Sequence, residues 1–195
     1  MKAILGIKKG MTRVFENDRA IPVTLVDVAG CKIANIRNGK VELVLGSKKK
    51  GTKAQLGQYK EIGYVPMHKW LVDGEIPEGL KLGSDMVAET FNKGDVVTIS
   101  GISKGKGFAG VVKRHGFKGG PRTHGQSDRL RAPGSIGAGA DPGRVFKGTR
   151  MGGRMGSDAV TIKNKRVVDI KENYLLISGP LPGSNGDLVK IYIEE

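Results

Sequence analysis

The sequence predicts a mainly β fold, a small antiparallel β-barrel with two insertions. Short runs rich in β-branched residues recur near both ends of the chain at even spacing, and turn signals separate them. A long basic, glycine-rich stretch, residues 101–156, interrupts this pattern. The chain has 195 residues with 38% apolar content, enough for one ordinary domain once that stretch is set aside. We therefore expect one modest barrel, a long basic loop insertion and a shorter irregular α/coil insertion.

In the N-terminal part, the sequence predicts five strands joined by tight turns. Lys8-Lys9-Gly10 splits an apolar run and is interpreted as the first turn. Asn38-Gly39 lies between two β-rich runs, which is a strong hairpin signal because both residues tolerate the positive φ of a type I′ turn. The predicted strands are Lys2–Gly6, Thr12–Phe15, Ala20–Ala29, Lys32–Arg37 and Lys40–Leu45.

Residues 47–90 form the predicted irregular insertion. The segment opens with a basic run, Ser-Lys-Lys-Lys-Gly-Thr-Lys from Ser47, and continues without clear periodicity past Trp70. We expect mostly coil, with one short helix near Pro66–Leu71.

The remaining strands flank the basic stretch. Asn164 and Asn173 suit tight hairpin turns. The predicted strands are Phe91–Ser100 with its opening turn, Ala159–Lys163, Arg166–Ile170, Tyr174–Ser178 and Leu188–Ile193. The expected domain division is a barrel built from residues 1–100 and 157–195, with residues 101–156 inserted between two of its strands.

The basic stretch carries most of the charge of the chain. Residues 101–156 hold twelve Lys and Arg against Asp128 and Asp141, and so account for +10 of a formal +14. They also hold sixteen of the 31 glycines. Such a stretch buries too little surface to offset the entropy of ordering itself, so an external ligand must order it. A polyanion is the natural candidate, because cations that neutralise phosphates release condensed counterions. The alternative is a solvated linker, but turn signals such as Gly120-Pro121 and Asp141-Pro142-Gly143 favour a defined path.

Other features bear on compartment and ligands. The single cysteine, Cys31, excludes an internal disulfide and a multi-cysteine zinc cluster, and we expect it to be buried in a reducing compartment. The apolar start of the chain ends at Lys8, too early for a signal peptide or a membrane span. His68, His115 and His124 lack the spacing of a metal site. We expect a cytosolic protein with no membrane partner, no metal and no cofactor.

One motif of the basic stretch matches a nucleotide site literally. Residues 105–110 fit G-x-G-x-x-G after a predicted strand and open a predicted helix over Phe108–Arg114. A dinucleotide site also needs a second parallel strand with an acid about 20 residues on, and the chain instead enters a glycine-rich run after Gly116. Neither a Walker loop nor a nucleophile elbow is found. We expect no catalytic residue and no small-molecule substrate. The alternatives are an enzyme that binds a phosphorylated ligand at this turn and an RNA- or DNA-binding architectural protein.

Longer runs carry a family resemblance. They are Gly105–Phe117 (GKGFAGVVKRHGF), Thr123–Gly125, Arg131–Gly137 (RAPGSIG), Pro142–Gly148 (PGRVFKG) and Met151–Gly156 (MGGRMG), with Ile4–Arg13 near the start and Leu176–Gly183 near the end. The sequence closely resembles the family of the third protein of the large ribosomal subunit, in its bacterial form. The resemblance is collinear from end to end and more specific than any single motif.

The resemblance implies a globular part like the β-barrel of translation factors and a loop that reaches through ribosomal RNA toward the peptidyl-transferase centre. It implies a structural role on the cytoplasmic ribosome, with 23S rRNA and neighbouring large-subunit proteins as partners and RNA binding early in subunit assembly. Many bacterial relatives carry a methylated glutamine within a stretch that is Ala138-Gly139-Ala140-Asp141 here, so that modification is not expected.

Within the basic stretch, we expect cations, one histidine and one glycine to contact RNA. Arginine can bridge phosphate oxygens or stack on unpaired bases, and lysine acts as a point charge. Phe108, Phe117 and Phe146 are candidates for base stacking, although Phe108 suits the barrel core equally well. The predicted RNA-binding residues are Lys104, Lys106, Lys113, Arg114, Lys118, Arg122, His124, Arg129, Arg131, Gly134, Arg144, Lys147, Arg150 and Arg154.

Overall fold

The computed structural model describes residues 2–37, 39–73 and 81–193, and the chain is mainly β, as predicted. The strands are β1 (Ala3–Glu16), β2 (Arg19–Asp27), β3 (Lys32–Arg37), β4 (Lys40–Ser47), β5 (Pro66–Asp73), β6 (Val96–Ile102), β7 (Phe108–Ala109), β8 (Gly153–Arg154), β9 (Ala159–Lys171), β10 (Tyr174–Ser178) and β11 (Leu188–Tyr192). The helices are α1 (Lys53–Gln58), α2 (Val111–His115) and a 3₁₀ turn at Ala88–Thr90.

The chain divides into two compact units. The first, called the body here, runs to Ser103 and resumes at Ala159; the second, called the extension, is Lys104–Asp158. In the body, six antiparallel strands close in the order β1-β11-β6-β9-β10-β2, and β3, β4 and β5 form a separate three-stranded sheet. One hydrophobic core joins the two sheets. It includes Ile4, Ile99 and Ile191 of the closed sheet and Ile33 and Leu43 of the smaller one, all fully buried.

Two predicted turns are wrong, because each lies inside a continuous strand. Lys8-Lys9-Gly10 is part of β1, where the register against β2 shifts between Lys8 and Gly10 as a β-bulge. Asn164 has a φ of +58° and lies within β9, where the register against β6 also shifts. Strand β2 pairs on both sides of the first irregularity, and β6 pairs on both sides of the second. The ladder therefore continues through residues that locally favour a turn.

Two other predicted hairpins agree with the strand pairing. Lys171 pairs with Tyr174 across a two-residue turn in which Glu172 has a φ of +48°, as expected for a primed turn. Arg37 pairs with Lys40, the register that a two-residue loop gives, although Asn38 lies outside the described residues.

The predicted helix at Pro66–Leu71 is wrong, since these residues begin the edge strand β5. From Met67 onward, exposed and half-buried side chains alternate with the period of two that a strand requires. Pro66 stands at the first strand position, where a missing N–H is tolerated. The helix of this insertion is α1, which the sequence prediction missed. It begins after a capping box formed by Thr52 and Gln55.

A buried acid lies on the outer face of the three-stranded sheet. Glu42 of the central strand β4 is 1% exposed, and its Oε1 accepts a hydrogen bond of 3.0 Å from the Tyr59 hydroxyl. Tyr59 packs with Ala34 and Val44 in a small cluster that covers this face. The insertion between β4 and β5 thus closes the second side of the sheet.

A buried lysine holds the loop before β11. Lys8 is 7% exposed, and its Nζ donates to the carbonyl oxygens of Leu181 (2.8 Å) and Gly183 (2.9 Å). Its backbone N–H donates to Asp187 O at 3.0 Å, and its carbonyl accepts from Gly186 N at 2.7 Å. The bulge in β1 therefore provides an anchor for residues 181–187.

Cys31 is fully buried, as predicted. Burial raises the pKa of its thiol from 9.0 to about 11, so the thiol stays protonated at neutral pH.

Candidate nucleic-acid interface

The extension has almost no core of its own. Across residues 104–158, all of which the structure describes, only Ala109 and Val111 are buried. Several large apolar side chains are instead exposed, among them Phe108 at 79% and Phe146 at 57%. The exposure of Phe108 shows that the alternative placing it in the barrel core is wrong. Backbone turns and hydrogen bonds, rather than apolar burial, give the extension its path.

The two chain segments at the root of the extension are held together by a structure that we call the clasp. Strand β7 pairs with β8. Next to this pair, Lys106 N donates to Met155 O, and Met155 N donates to Gly107 O, both at 2.9 Å. The outgoing and returning segments thus form a short ladder.

Helix α2 completes the clasp. It ends at Gly116, whose φ of +73° gives a left-handed C-cap that favours glycine. Arg114 Nη1 and His115 Nε2 both donate to Met151 O at 3.0 Å. A side chain at Gly153 would overlap the guanidinium of Arg114, so this glycine lets the arginine lie against the returning segment. The predicted helix over Phe108–Arg114 is therefore partly wrong: its first two residues are strand β7.

Further along the extension, a second backbone contact closes a loop. Gly120 N donates to Leu130 O at 3.0 Å. Gly119 has a φ of +74°, and a Cβ there would overlap the same carbonyl oxygen. Glycine is thus required at position 119 for two independent reasons. This loop borders a shallow cleft of about 330 Å³, which is lined in part by Lys118, Arg129 and Gly134.

The structure places all fourteen predicted RNA-binding residues on the exposed surface of the extension. Arg114 differs from the others because its guanidinium also holds the clasp. His124 occupies a turn with a φ of +61°. Arg144 lies over the ring of Phe146, with Cζ 5.4 Å from the centroid, which presents a cation and an aromatic face together. The predicted turn at Asp141-Pro142-Gly143 is present, with Gly143 N donating to Gly139 O at 3.2 Å.

The predicted residues are distributed along an extended path and do not converge on a pocket with acid–base or nucleophilic groups. In the described ranges, no group of three or more His, Cys, Asp or Glu side chains could hold a metal ion. No helix of the described chain is long and apolar enough to cross a membrane. Fold and site together define a class: a mainly β protein whose exposed cationic extension suits a long, flexible polyanion.

Comparison with known proteins gives the family. A model of the family described as ribosomal protein L3 matches residues 79–178. The large ribosomal subunit protein uL3 of Chlorobium phaeovibrioides is 44% identical over 208 residues, which cover 98% of both chains. The protein of the same name from Mycolicibacterium vanbaalenii is 49% identical over 205 residues, which cover 97% of this chain and 94% of the relative. This chain belongs to the ribosomal protein L3 family.

Proposed function

We propose that this protein is a structural constituent of the large ribosomal subunit in the bacterial cytoplasm. In this proposal it binds 23S rRNA early in assembly, contacts neighbouring large-subunit proteins, and directs its extension toward the peptidyl-transferase centre without catalysing a reaction. The closed six-stranded sheet is the proposed counterpart of the translation-factor barrel. The observation that carries the proposal is the extension itself: twelve exposed cations on 55 residues with two buried side chains, in a chain of this family.

The composition of the extension supports binding to irregular RNA. Seven of its twelve cations are arginines, which can bridge phosphates or stack on bases. Phe146, with Arg144 over its ring, presents an exposed surface on which an unpaired base can stack. Glycines with positive φ, such as Gly134 and Gly148, keep the backbone narrow where RNA strands would pass.

The clasp divides the extension into two functional parts. The root, through Arg114, His115 and the β7–β8 pair, is held by its own hydrogen bonds. The part between Gly119 and Arg150 lies beyond the clasp. We assign the phosphate contacts mainly to this outer part and give Arg114 a mixed role, structural and electrostatic.

The test is crosslinking of the protein to RNA in cells, followed by sequencing of the attached RNA. Residues 119–149 would be replaced by a Gly-Ser linker, which leaves the clasp intact. The expected result is discrete crosslinks on large-subunit rRNA. The linker variant should lose the crosslinks that the extension makes, while its body unfolds with wild-type cooperativity. A second variant keeps the length of the extension and removes only its charge, by changing Arg122, Arg129, Arg131, Arg144, Lys147 and Arg150 to Gln. It should lose the same crosslinks.

A binding measurement checks the electrostatic part separately. If these six cations each neutralise one phosphate, they should contribute roughly −4 to −5 to the slope of the logarithm of affinity against the logarithm of salt concentration. A slope near zero would contradict the proposal, as would diffuse crosslinks across unrelated RNAs. A preference for duplex DNA over RNA would favour a non-ribosomal architectural protein instead.

A further inference from the structure

The charge of the body is confined to one segment. The extension, with twelve cations against three acids, accounts for +9 of the formal +14. Residues 47–69 hold six lysines and the single acid Glu61, a net +5. Everywhere else in the chain, fifteen basic residues meet fifteen acidic ones. The body is therefore electrically neutral outside this one lysine segment.

Ion pairing follows the same division. Elsewhere in the body, Lys2 lies 3.1 Å from Asp95, Lys40 lies 2.7 Å from Asp73, and Arg166 lies 2.7 Å from Glu16. Among the described residues, none of the six lysines of residues 47–69 forms an ion pair, and all six are exposed. These residues, which we call the lysine surface, are Lys48, Lys49, Lys50, Lys53, Lys60 and Lys69.

The fold brings the two ends of the segment together. Lys48 N donates to Val65 O at 2.9 Å, and Lys69 of β5 pairs with Val44 of β4. Lys48 and Lys69 consequently line one small cleft of about 90 Å³, together with Gln55. Helix α1 begins at Lys53 and ends at Gln58, shortly before Lys60. Two lysines from opposite ends of the segment thus border the same cleft.

We propose that the lysine surface is a second RNA-binding site, one that holds the phosphate backbone of an RNA duplex. The surface has six lysines and no arginine, and of the two tyrosines in residues 47–69, Tyr59 is buried and Tyr64 is half-buried. Lysine contributes a point charge without the planar fork that stacks on bases, and duplex RNA is recognised through its backbone and shape. A protein partner is less favoured, because lysine is depleted at protein–protein interfaces. The two sites then bind different RNA structures: the extension binds irregular RNA, and the lysine surface binds an RNA duplex.

This inference rests on the proposed function, and its test separates the two. The full-length protein would be titrated with a 23S rRNA transcript and with an RNA duplex of arbitrary sequence, over a range of salt. The test variant is Lys48→Gln/Lys49→Gln/Lys50→Gln. The matched control, Lys81→Gln/Lys93→Gln/Lys171→Gln, removes the same charge from exposed positions in the neutral part of the body.

The test variant should reduce the salt slope on 23S rRNA by about 2–3, from three lost phosphate contacts, and should lose most duplex binding. The control should keep the wild-type slope. The linker variant of the extension should still bind the duplex. A wild-type slope in the test variant would overturn the inference while leaving the proposed function intact, whereas a wild-type protein that fails to select 23S rRNA would overturn the proposed function.

A second measurement uses only the wild-type protein. Amine acetylation should be suppressed at Lys48, Lys49, Lys50 and Lys69 when the protein binds 23S rRNA alone, and should continue at Lys81. If the lysine surface stays reactive in that binary complex and is protected only in the complete subunit, a neighbouring protein covers it and the inference is wrong.

Discussion

Replacing Lys8 with methionine should lower the free energy of unfolding of the body by about 2–4 kcal/mol. Lys8 is 7% exposed and donates two hydrogen bonds of 2.8 and 2.9 Å from its ammonium group to backbone carbonyls. Methionine has a similar length and stays apolar, so the substitution removes the charge-assisted hydrogen bonds while largely filling the space.

The magnitude follows from those two bonds. A hydrogen bond to a charged group contributes about 1.5–3 kcal/mol. Two such bonds give about 3–6 kcal/mol. The variant also avoids the free-energy cost of burying an ammonium group, which lowers the net loss to about 2–4 kcal/mol. The loop of residues 181–187 should also loosen, because Lys8 contacts it with side chain and backbone.

Urea unfolding measures the effect, and the neighbouring residue supplies the control. With a dependence of about 2 kcal/mol per molar urea, the midpoint should fall by about 1–2 M. Lys9 is 51% exposed at its side chain and pairs with Asp27 at 3.3 Å, a surface ion pair worth about 0–1 kcal/mol. Lys9→Met should therefore shift the midpoint by less than about 0.5 M. Equal shifts for the two variants would refute the anchoring role of Lys8.

Three further predictions concern single residues. Tyr59→Phe removes a hydrogen-bond donor to the buried Glu42 side chain and should cost about 1–3 kcal/mol in urea unfolding; the cost combined with Glu42→Met, which removes the acceptor, should be less than additive, and strict additivity would argue against the pairing. Gly119→Ala should raise the amide exchange rate in the extension about tenfold or more, because the backbone at Gly119 is left-handed and the new Cβ would overlap a carbonyl oxygen. Gly125→Ala is the control, because Gly125 has a similar φ of +76° but open space around it. Equal exchange rates in the two variants would contradict a role for the overlap. Burial raises the pKa of Cys31 from 9.0 to about 11, so the folded state binds the thiol proton more tightly than the unfolded state does. The resulting contribution to the free energy of unfolding should be complete below pH 9, and about 3 kcal/mol should be lost as the pH rises through 11. Cys31→Ala should remove that part of the decline, and an unchanged pH dependence would count against it.

Local sequence signals predicted those parts of the fold that are locally determined. The two-residue turn before Tyr174 and the pairing of β3 with β4 follow from turn residues between β-rich runs. The bulges between Lys8 and Gly10 and at Asn164 could not be found this way, because whether a polar break ends a strand depends on neighbours distant in sequence. The strand that begins at Pro66 was predicted as a helix for a related reason. Proline interrupts the strand pattern locally, but the first position of an edge strand tolerates it.

The candidate interface was predictable in its chemistry more than in its geometry. Charge density and the scarcity of apolar residues predict that Arg122 or Arg144 is exposed, and both are. The role of Arg114 in the clasp was not predictable, since its partner Met151 O lies 37 residues away. The burial of Lys8 was not predicted, because a lysine is expected at the surface. The carbonyl oxygens that accept its hydrogen bonds belong to a loop that is distant in sequence and comes close only in the folded chain.

The single tryptophan of the chain gives it an intrinsic fluorophore at an informative place. Trp70 of β5 packs against Tyr192 of β11, with ring centroids 5.6 Å apart, and thus touches both sheets of the body. Its emission should change when the three-stranded sheet separates from the closed one. Because the extension contains no tryptophan, variants of the extension can be compared by the same optical signal without any change in the fluorophore itself.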